Sequence, residues 1–239
     1  MRLNEAEWIA QVLDPMPSEA ISPLLELGSQ TLEYRTVQKP YIEEVLHRPL
    51  RNKGVRIVTT DLQDAPGVDI SGDIFNFQVQ EKLHEVEANL ILCSGILPVV
   101  SDYKKFAAIC NSLVKPGHYL VVTTAQSYPF TPDPIDNGFR PTPEDIAALF
   151  PGYEIIKSAT LISDTYLDEL RQTKRPVRTL LGVLARTALL RGGWKTTKCR
   201  GLRLLWMFRP FTVSAVLLHK PEAVSPSKLV RESAMQGTV

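Results

Sequence analysis

The chain has 239 residues, of which 44% are hydrophobic and 22% are charged, and its formal net charge is +1 at pH 7. This length and hydrophobic content suffice for one sizeable core and disfavour two full domains. The three cysteines have no paired ligand spacing and the N-terminus lacks a secretory pattern, so we expect a reduced, cytoplasmic protein without disulfides. No stretch approaches the roughly 18–20 apolar residues that span a bilayer, so we expect no transmembrane helix.

The near-neutral total hides an uneven distribution of charge. The stretch 171–210 contains 11 of the 27 basic residues and no acidic residue, which leaves 16 basic residues against 26 acidic residues in the rest of the chain. Such segregation of charge concerns the partners of a protein more than its fold.

The predicted elements alternate between helices and strands along the chain. An N-terminal helix over 5–13, capped by Asn4, precedes a first strand over 23–27 that ends in a glycine turn. A helical pattern over 32–50 is interrupted by Pro40. Further strands are predicted at 55–60, 67–74, 88–94, 118–124, 153–162 and 211–219. Further helices are predicted at 80–86, 103–114 and 142–150, the last capped by Thr142.

This alternation is typical of a doubly wound α/β protein. We predict a mostly parallel seven-stranded sheet with helices on both faces, the strand at 88–94 near its centre and a basic helical insertion before the last strand. Residues 1–22 would form a helix packed on the domain, and 23–220 would form the α/β domain with a basic amphipathic insertion at 165–210. Residues 221–239 are polar and are predicted to be a disordered tail.

Three segments together resemble a known family. They are Leu-Glu-Leu-Gly-Ser at 25–29, Leu-Val-Lys-Pro-Gly-His-Tyr-Leu-Val-Val at 113–122 and Phe-Arg-Pro-Thr-Pro-Glu-Asp-Ile at 139–146. In this order and spacing they resemble the Rossmann-like (class I) S-adenosylmethionine-dependent methyltransferases, with a degenerate glycine motif. The third segment is similar to one in a subgroup that is often associated with surface glycans and lipids.

The resemblance implies S-adenosylmethionine as the cofactor and a site at the ends of the first three strands. The matching positions are Glu26, Gly28 and Ser29 under the methionine part, Asp61 at the ribose, and Asp73 with Ile74 near the adenine. A carboxylate that accepts two ribose hydroxyls makes charge-assisted hydrogen bonds of about 1.5–3 kcal/mol each. We therefore expect Asp61 to matter most.

Some positions depart from the family pattern. Gln30 and Thr31 stand where further glycines are usual, and Asn89 replaces an acidic residue. The segment around Pro98 lacks the general base that many relatives have there. Methyl transfer to an already nucleophilic atom can proceed largely by positioning, so an active methyltransferase remains the first hypothesis. The alternative is a catalytically inactive relative that serves as a membrane-surface or protein-interaction adaptor. A nicotinamide-dependent oxidoreductase is disfavoured because the Gly-x-Gly-x-x-Gly turn is absent.

A proline-rich loop over 127–143 follows the fifth predicted strand, where loops of this fold class line an acceptor pocket. Asp136 is the candidate catalytic acid–base residue, and the alternative is an ion pair with Arg140 in a stiff surface loop. The acceptor implied is a small molecule, or a membrane-associated glycan or lipid-linked compound. The histidines have no partners at metal-ligand spacing, so we predict no metal, and we assign His47 to a surface helix.

Apolar runs at 179–190 and 202–208 lie within the basic stretch 171–210. They are too short to span a bilayer but suit contact with an anionic membrane surface, where each basic residue contributes about 1 kcal/mol. The alternative is a helical cap packed on the sheet. Leucine-rich runs disfavour nucleic acid, which is bound through more polar and stacking groups. We expect a cytoplasmic protein with peripheral membrane contact, and no pattern indicates an oligomeric state.

Overall fold

A seven-stranded sheet organises the chain, of which the computed structural model describes residues 1–129, 136–171, 177–178, 181–182, 185 and 206–222. The strands are β1 (Leu24–Leu27), β2 (Ile57–Asp61), β3 (Ile70–Ser71), β4 (Leu90–Ser94), β5 (Tyr119–Ser127), β6 (Glu154–Ile162) and β7 (Thr212–His219). Their order across the sheet is β3-β2-β1-β4-β5-β7-β6. The strand predicted at 88–94 therefore lies at the centre as β4.

The sheet is seven-stranded and α/β, as predicted, but it is mixed. Strands β1 to β5 pair in parallel, whereas β7 runs antiparallel to both β5 and β6. The chain moves outward from β1 to β3 and then returns to place β4 on the other side of β1. Such a reversal of strand order opens a crevice at the carboxyl ends of the strands, which is where doubly wound proteins bind ligands.

Helices cover both faces of the sheet. They are α1 (Leu3–Leu13), α2 (Ser18–Ile21), α3 (Arg48–Asn52), α4 (Phe77–Glu85), α5 (Tyr103–Leu113), α6 (Pro143–Ala148) and α7 (Tyr166–Arg171). Two π-helical segments, Tyr34–Gln38 and Ile42–His47, replace the predicted helix at 32–50 and are separated at Pro40, which has no N–H to donate.

The ends of two helices test the predicted caps. Thr142 caps α6 as predicted, because its hydroxyl accepts a hydrogen bond from the Asp145 N–H at 3.2 Å. The cap predicted at Asn4 is wrong. Helix α1 begins at Leu3, and the carboxylate of Glu5 accepts a hydrogen bond from the Arg2 N–H at 2.8 Å. Asn4 lies inside the first turn and donates to the Ile162 carbonyl at 2.8 Å, which ties the helix to the end of β6.

The core has two layers because successive strand residues point to opposite faces of the sheet. Leu25 and Leu27 of β1 pack with α4, α5 and α6 on one face. Leu24 packs on the other face with the α1 side chains Trp8 and Ile9. Both faces are thus closed, and the carboxyl edge of the sheet is left for a site.

Much of the basic stretch 171–210 and most of the tail 221–239 lie outside the described residues, so the predictions made for them remain predictions. Within the described segments, no helix has both the length and the apolar character needed to cross a bilayer.

Candidate functional site

The turn after β1 is joined to the end of β2. The Ser29 N–H donates to the Thr60 carbonyl at 2.8 Å, and the Gln30 N–H donates to Asp61 Oδ2 at 2.9 Å. Gly28 and Gln30 both have left-handed backbones, with φ of 68° and 61°. Of the residues that the sequence predicts for a cofactor, the structure thus brings Gly28, Ser29 and Asp61 together.

Asp61 keeps the capacity to bind a ligand. Its Oδ1 accepts from the Gln63 N–H at 3.2 Å, and its Oδ2 accepts from Gln30. A carboxylate offers about four lone-pair positions, so two protein donors leave room for two hydroxyl donors. The side chain is half-exposed at the edge of the sheet.

Arg35 holds the same turn from the other side. Its guanidinium is 2% exposed and donates to the carbonyls of Gln30 at 2.8 Å and Ser29 at 3.2 Å through Nη1, and to the Gly67 carbonyl at 2.7 Å through Nη2. The turn is therefore fastened to the β2–β3 loop. Sequence reasoning missed Arg35, because one arginine in a broken helical pattern gives no sign of being buried.

Asp73 and Ile74 follow β3 and lie near Asp61 through the backbone. The N–H of Gly72 donates to the Asp61 carbonyl at 2.9 Å. The exposed Asp73 carboxylate accepts from the Phe75 N–H at 2.9 Å, and the half-buried Ile74 packs against the core. The predicted adenine residues are thus on the same edge of the sheet, and the Asp73 carboxylate stabilises its own loop.

Glu26 lies in β1, two residues before the glycine of the turn. Its side chain is buried, and its Oε2 lies 3.0 Å from Nε2 of His47, at ion-pair distance but without hydrogen-bond angles. Glu43 lies 3.6 Å from the other ring nitrogen of the same histidine. The assignment of His47 to a surface helix is wrong, since it is only 1% exposed. A buried carboxylate requires a partner, and no spacing in the sequence indicated that Glu26 would meet His47.

A cavity of about 890 Å³ lies beside the turn, between the first turn of α1 and the carboxyl ends of β4, β5 and β6. Its lining includes Gly95, Ala125, Tyr128 and Ile162, and none of the predicted cofactor residues. The cavity and the turn after β1 are adjacent, because two consecutive residues, Gly95 and Ile96, contact one each. Gly95 lines the cavity, and the Ile96 side chain lies 2.9 Å from where a Cβ would stand on Gly28.

Glu5 places a negative charge in the wall of this cavity. It is 4% exposed and accepts hydrogen bonds from the hydroxyls of Ser94 and Thr123 and from the backbone of Arg2. Burial opposes its ionisation, but the Met1 amino group and these hydrogen bonds outweigh burial and hold the pKa of Glu5 below its usual value. The carboxylate is therefore charged at neutral pH. Sequence reasoning did not single it out, because its partners are up to 118 residues away.

Aromatic rings form another wall of the cavity. Tyr128 and Phe211 lie 4.8 Å apart, and the Arg2 guanidinium lies 4.5 Å from the centre of the Phe211 ring. The Tyr41 hydroxyl and the Lys39 ammonium both donate to the Met1 carbonyl at 3.0 Å. The cavity thus combines a carboxylate, cations, hydroxyls and aromatic faces.

Asp136 makes the ion pair that was the alternative to a catalytic role. Its carboxylate accepts from Arg140 at 2.7 and 3.1 Å and from the Gly138 N–H at 2.9 Å. Among the described residues that line the cavity, Asp136 does not occur. These contacts stabilise the loop, and the acid–base role of Asp136 stays a prediction.

Two departures from the family pattern have structural explanations. The Asn89 amide donates to the carbonyls of Glu19 and Ser22 at 2.8 and 2.7 Å, which an ionised acid cannot do. The Pro98 carbonyl accepts from the Asn137 N–H at 2.9 Å and so anchors the loop that carries Asp136. Within the described part of the chain, no group of three or more metal-ligating side chains is arranged to hold an ion.

Comparisons with known proteins address the fold. No protein-family model and no curated protein sequence matches the chain. Coclaurine N-methyltransferase bound to N-methylheliamine and SAH has a similar structure, with 13% identity, a TM-score of 0.52 and coverage of 90% of this chain and 70% of its own. A SAM-dependent methyltransferase from Archaeoglobus fulgidus has 12% identity, a TM-score of 0.46 and coverage of 89% and 94%. The likeness to coclaurine N-methyltransferase shows that the chain has the fold of the class I S-adenosylmethionine-dependent methyltransferases.

Proposed function

We propose that the protein is an S-adenosylmethionine-dependent methyltransferase whose cofactor binds against the turn at 28–30 and the carboxylate of Asp61. The observation that carries the proposal is the joining of this turn to Asp61 at the point where the strand order reverses. When bound, the cofactor supplies an activated methyl group.

The residues at the edge of the sheet fit such a cofactor. Asp61 has lone pairs left for the ribose hydroxyls, and Gly28 has no Cβ to keep a ligand away from the backbone. Ile96 covers Gly28 with the end of a flexible side chain, which a ligand can displace by a rotamer change. Glu26, whose Oε2 lies 3.0 Å from Nε2 of His47, stays a predicted contact of the methionine part of the cofactor.

The acceptor that we propose occupies the cavity beside Gly95. Hydroxyl and carboxylate groups there suit hydrogen bonds with a polyhydroxylated molecule, and the faces of Tyr128 and Phe211 suit its apolar side. These residues would orient the acceptor and exclude water while its nucleophilic atom faces the methyl group. A membrane-associated glycan or lipid-linked compound combines both kinds of surface.

We further propose that the basic stretch 171–210 brings the protein to an anionic membrane surface. Val177, Leu181 and Phe208, which belong to its described part, are apolar and strongly exposed. The remaining residues on which this proposal rests, including Arg175, Arg191 and Arg203, lie outside the described residues. Flotation with anionic liposomes at low salt should recover the protein in the lipid fraction, and replacement of these arginines and Arg178 by glutamine should release it. If the unsubstituted protein does not float with the liposomes, membrane contact is contradicted.

Calorimetric titration with S-adenosylmethionine and S-adenosylhomocysteine tests the cofactor proposal. Asp61→Ala should weaken binding by roughly 100-fold or more, because two charge-assisted hydrogen bonds of about 1.5–3 kcal/mol each are lost. Asp64→Ala is the matched control, since Asp64 is an exposed carboxylate three residues further along the same loop. If the folded, unsubstituted protein binds neither compound, the inactive adaptor becomes the better hypothesis.

A further inference from the structure

The turn at 28–31 adopts its shape without the usual glycines. Gln30 has φ of 61°, a left-handed conformation that is disfavoured for a residue with a Cβ. One contact inside the turn acts on this residue, because the Ser29 hydroxyl donates to the Gln30 carbonyl at 3.1 Å. The remaining contacts come from outside the turn.

Arg35 and Asp61 supply those contacts on both sides of the Gln30 Cα. In the peptide group before it, the N–H of Gln30 donates to Asp61 and the carbonyl of Ser29 accepts from Arg35. In the peptide group after it, the carbonyl of Gln30 accepts from Arg35 at 2.8 Å. Fixing the planes of both peptide groups fixes the φ of the residue between them.

Burying the guanidinium of Arg35 costs free energy, and its contacts with the turn must compensate for that cost. The guanidinium is 2% exposed, and no carboxylate among the described residues lies within ion-pair distance of it. Its donors bind three backbone carbonyls instead, and its Nε has no hydrogen-bond partner within the described structure. A buried cation held only by carbonyl dipoles is unfavourable for stability alone, so the arrangement indicates a role in shaping the turn.

Gly67 completes the arrangement from the β2–β3 loop. Its carbonyl accepts from Arg35 Nη2, and its φ is 80°. A Cβ at this position would lie 2.6 Å from the Cβ of Leu32 and 2.9 Å from Arg35 Nη2. Glycine is therefore required for the loop to come close enough to receive the guanidinium.

We infer that Arg35 is a positioning residue that replaces the missing glycines, because it holds Gln30 in the left-handed conformation and so keeps the cofactor turn ready for its ligand. This inference rests on the proposed function. A turn that is ordered before binding loses less conformational entropy when the ligand arrives, so the gain appears as affinity.

Arg35→Met removes all the guanidinium donors and keeps an apolar side chain of adequate length. We expect it to weaken S-adenosylhomocysteine binding about tenfold or more, the equivalent of at least one charged hydrogen bond. In the protein without ligand, hydrogen exchange at the amides of 28–31 should become faster. A purely structural role would lower the melting temperature without this local change.

A second substitution separates control of φ from other effects of Arg35. Gln30→Gly removes the penalty on left-handed backbone, so adding it to Arg35→Met should restore part of the lost affinity. Glu87→Gly is the matched control, because Glu87 is also left-handed with φ of 52° and lies between α4 and β4, away from the turn. It should restore none of the affinity, although it removes a similar penalty.

Three results would overturn the inference: unchanged affinity in Arg35→Met, no restoration by Gln30→Gly, or equal restoration by Glu87→Gly. If Arg35→Met does not fold, Arg35→Lys replaces it in the same comparison, since one ammonium cannot reproduce the forked contacts. If the unsubstituted protein does not bind S-adenosylhomocysteine, the proposed function fails. Unchanged exchange at 28–31 in the Arg35 variant would then overturn the inference separately.

Discussion

The two halves of the carboxyl edge of the sheet are built differently. Beside β1 to β3, the turn is tied by Asp61 and Arg35 through contacts to backbone atoms. Beside β4 to β7, a cavity of about 890 Å³ is lined by side chains from several separate segments. The first half is thus held by contacts to backbone atoms, whereas the second half is a cavity shaped by side chains.

This difference agrees with a division of tasks between the two halves. A cofactor common to many reactions can be bound by a fixed backbone shape, whereas an acceptor must be recognised by side chains particular to one protein. We therefore expect substitutions in the first half to change the order of the turn and cofactor affinity. Substitutions in the second half should leave both nearly unchanged.

The largest effect is expected from Gly67→Ala, which would break the first half. Left-handed backbone costs about 1–2 kcal/mol for a residue with a Cβ, and the clash with Leu32 costs about 1–3 kcal/mol. The free energy of unfolding should therefore fall by about 2–5 kcal/mol. Gly54→Ala is the control, since φ there is 89° and no atom lies within 4 Å of the added Cβ. Urea unfolding should show a smaller loss for the control, and equal losses would remove the argument for a close approach at Gly67.

Glu5→Gln tests the second half and should cost about 1–3 kcal/mol of unfolding free energy at pH 7, because a buried charged acceptor is replaced by an amide. Cofactor affinity should change little, because Glu5 belongs to the cavity. A loss of affinity as large as that of the Asp61 variant would show that the two halves are not separate.

The stability difference between the unsubstituted protein and Glu5→Gln is expected to depend on pH. The pKa of Glu5 in the folded protein lies below its usual value of 4.5, because the Met1 amino group and hydrogen bonds outweigh the desolvation that burial causes. The stabilisation that ionised Glu5 provides is therefore fully present above pH 4.5 and is lost as the pH falls below that value. The stability difference between the unsubstituted protein and Glu5→Gln should shrink in acid, which urea unfolding at several pH values would measure. A constant difference would contradict an ionised Glu5.

The smallest effect is expected from Ala125→Leu, which fills part of the cavity. Ala125 is half-exposed at the end of β5, so the added atoms enter open space. S-adenosylhomocysteine affinity should change less than about twofold, equivalent to roughly 0.4 kcal/mol. Calorimetry checks this, and a larger change would place the cofactor in the cavity.

The strands were predictable from the sequence where hydrophobic patterning decides them, as at 88–94 and 118–124. The strand predicted at 67–74 is reduced to Ile70–Ser71, because Gly67 and Gly72 both have left-handed φ values that interrupt an extended backbone. The reversed direction of β7 has no local signal, because this strand is buried on both faces and has the continuous apolar run that is typical of a parallel strand.

The site was predictable only where a side chain follows the end of a strand. Asp61 was predicted in this way, and its carboxylate accepts a hydrogen bond from the turn. The contacts of Arg35 join its side chain to backbone carbonyls as far away as Gly67, and the pairing of Glu26 with His47 spans 21 residues. Such contacts depend on the tertiary fold and leave no spacing that a single sequence reveals.

Hydrogen exchange of the unsubstituted protein, measured with and without S-adenosylhomocysteine, locates the ligand and so tests whether it binds at the turn. We expect slower exchange at 28–31 and 60–63, with little change in the cavity segments around Tyr128 and Ile162. Protection confined to the cavity segments, or no protection at a saturating concentration of the ligand, would contradict binding at the turn.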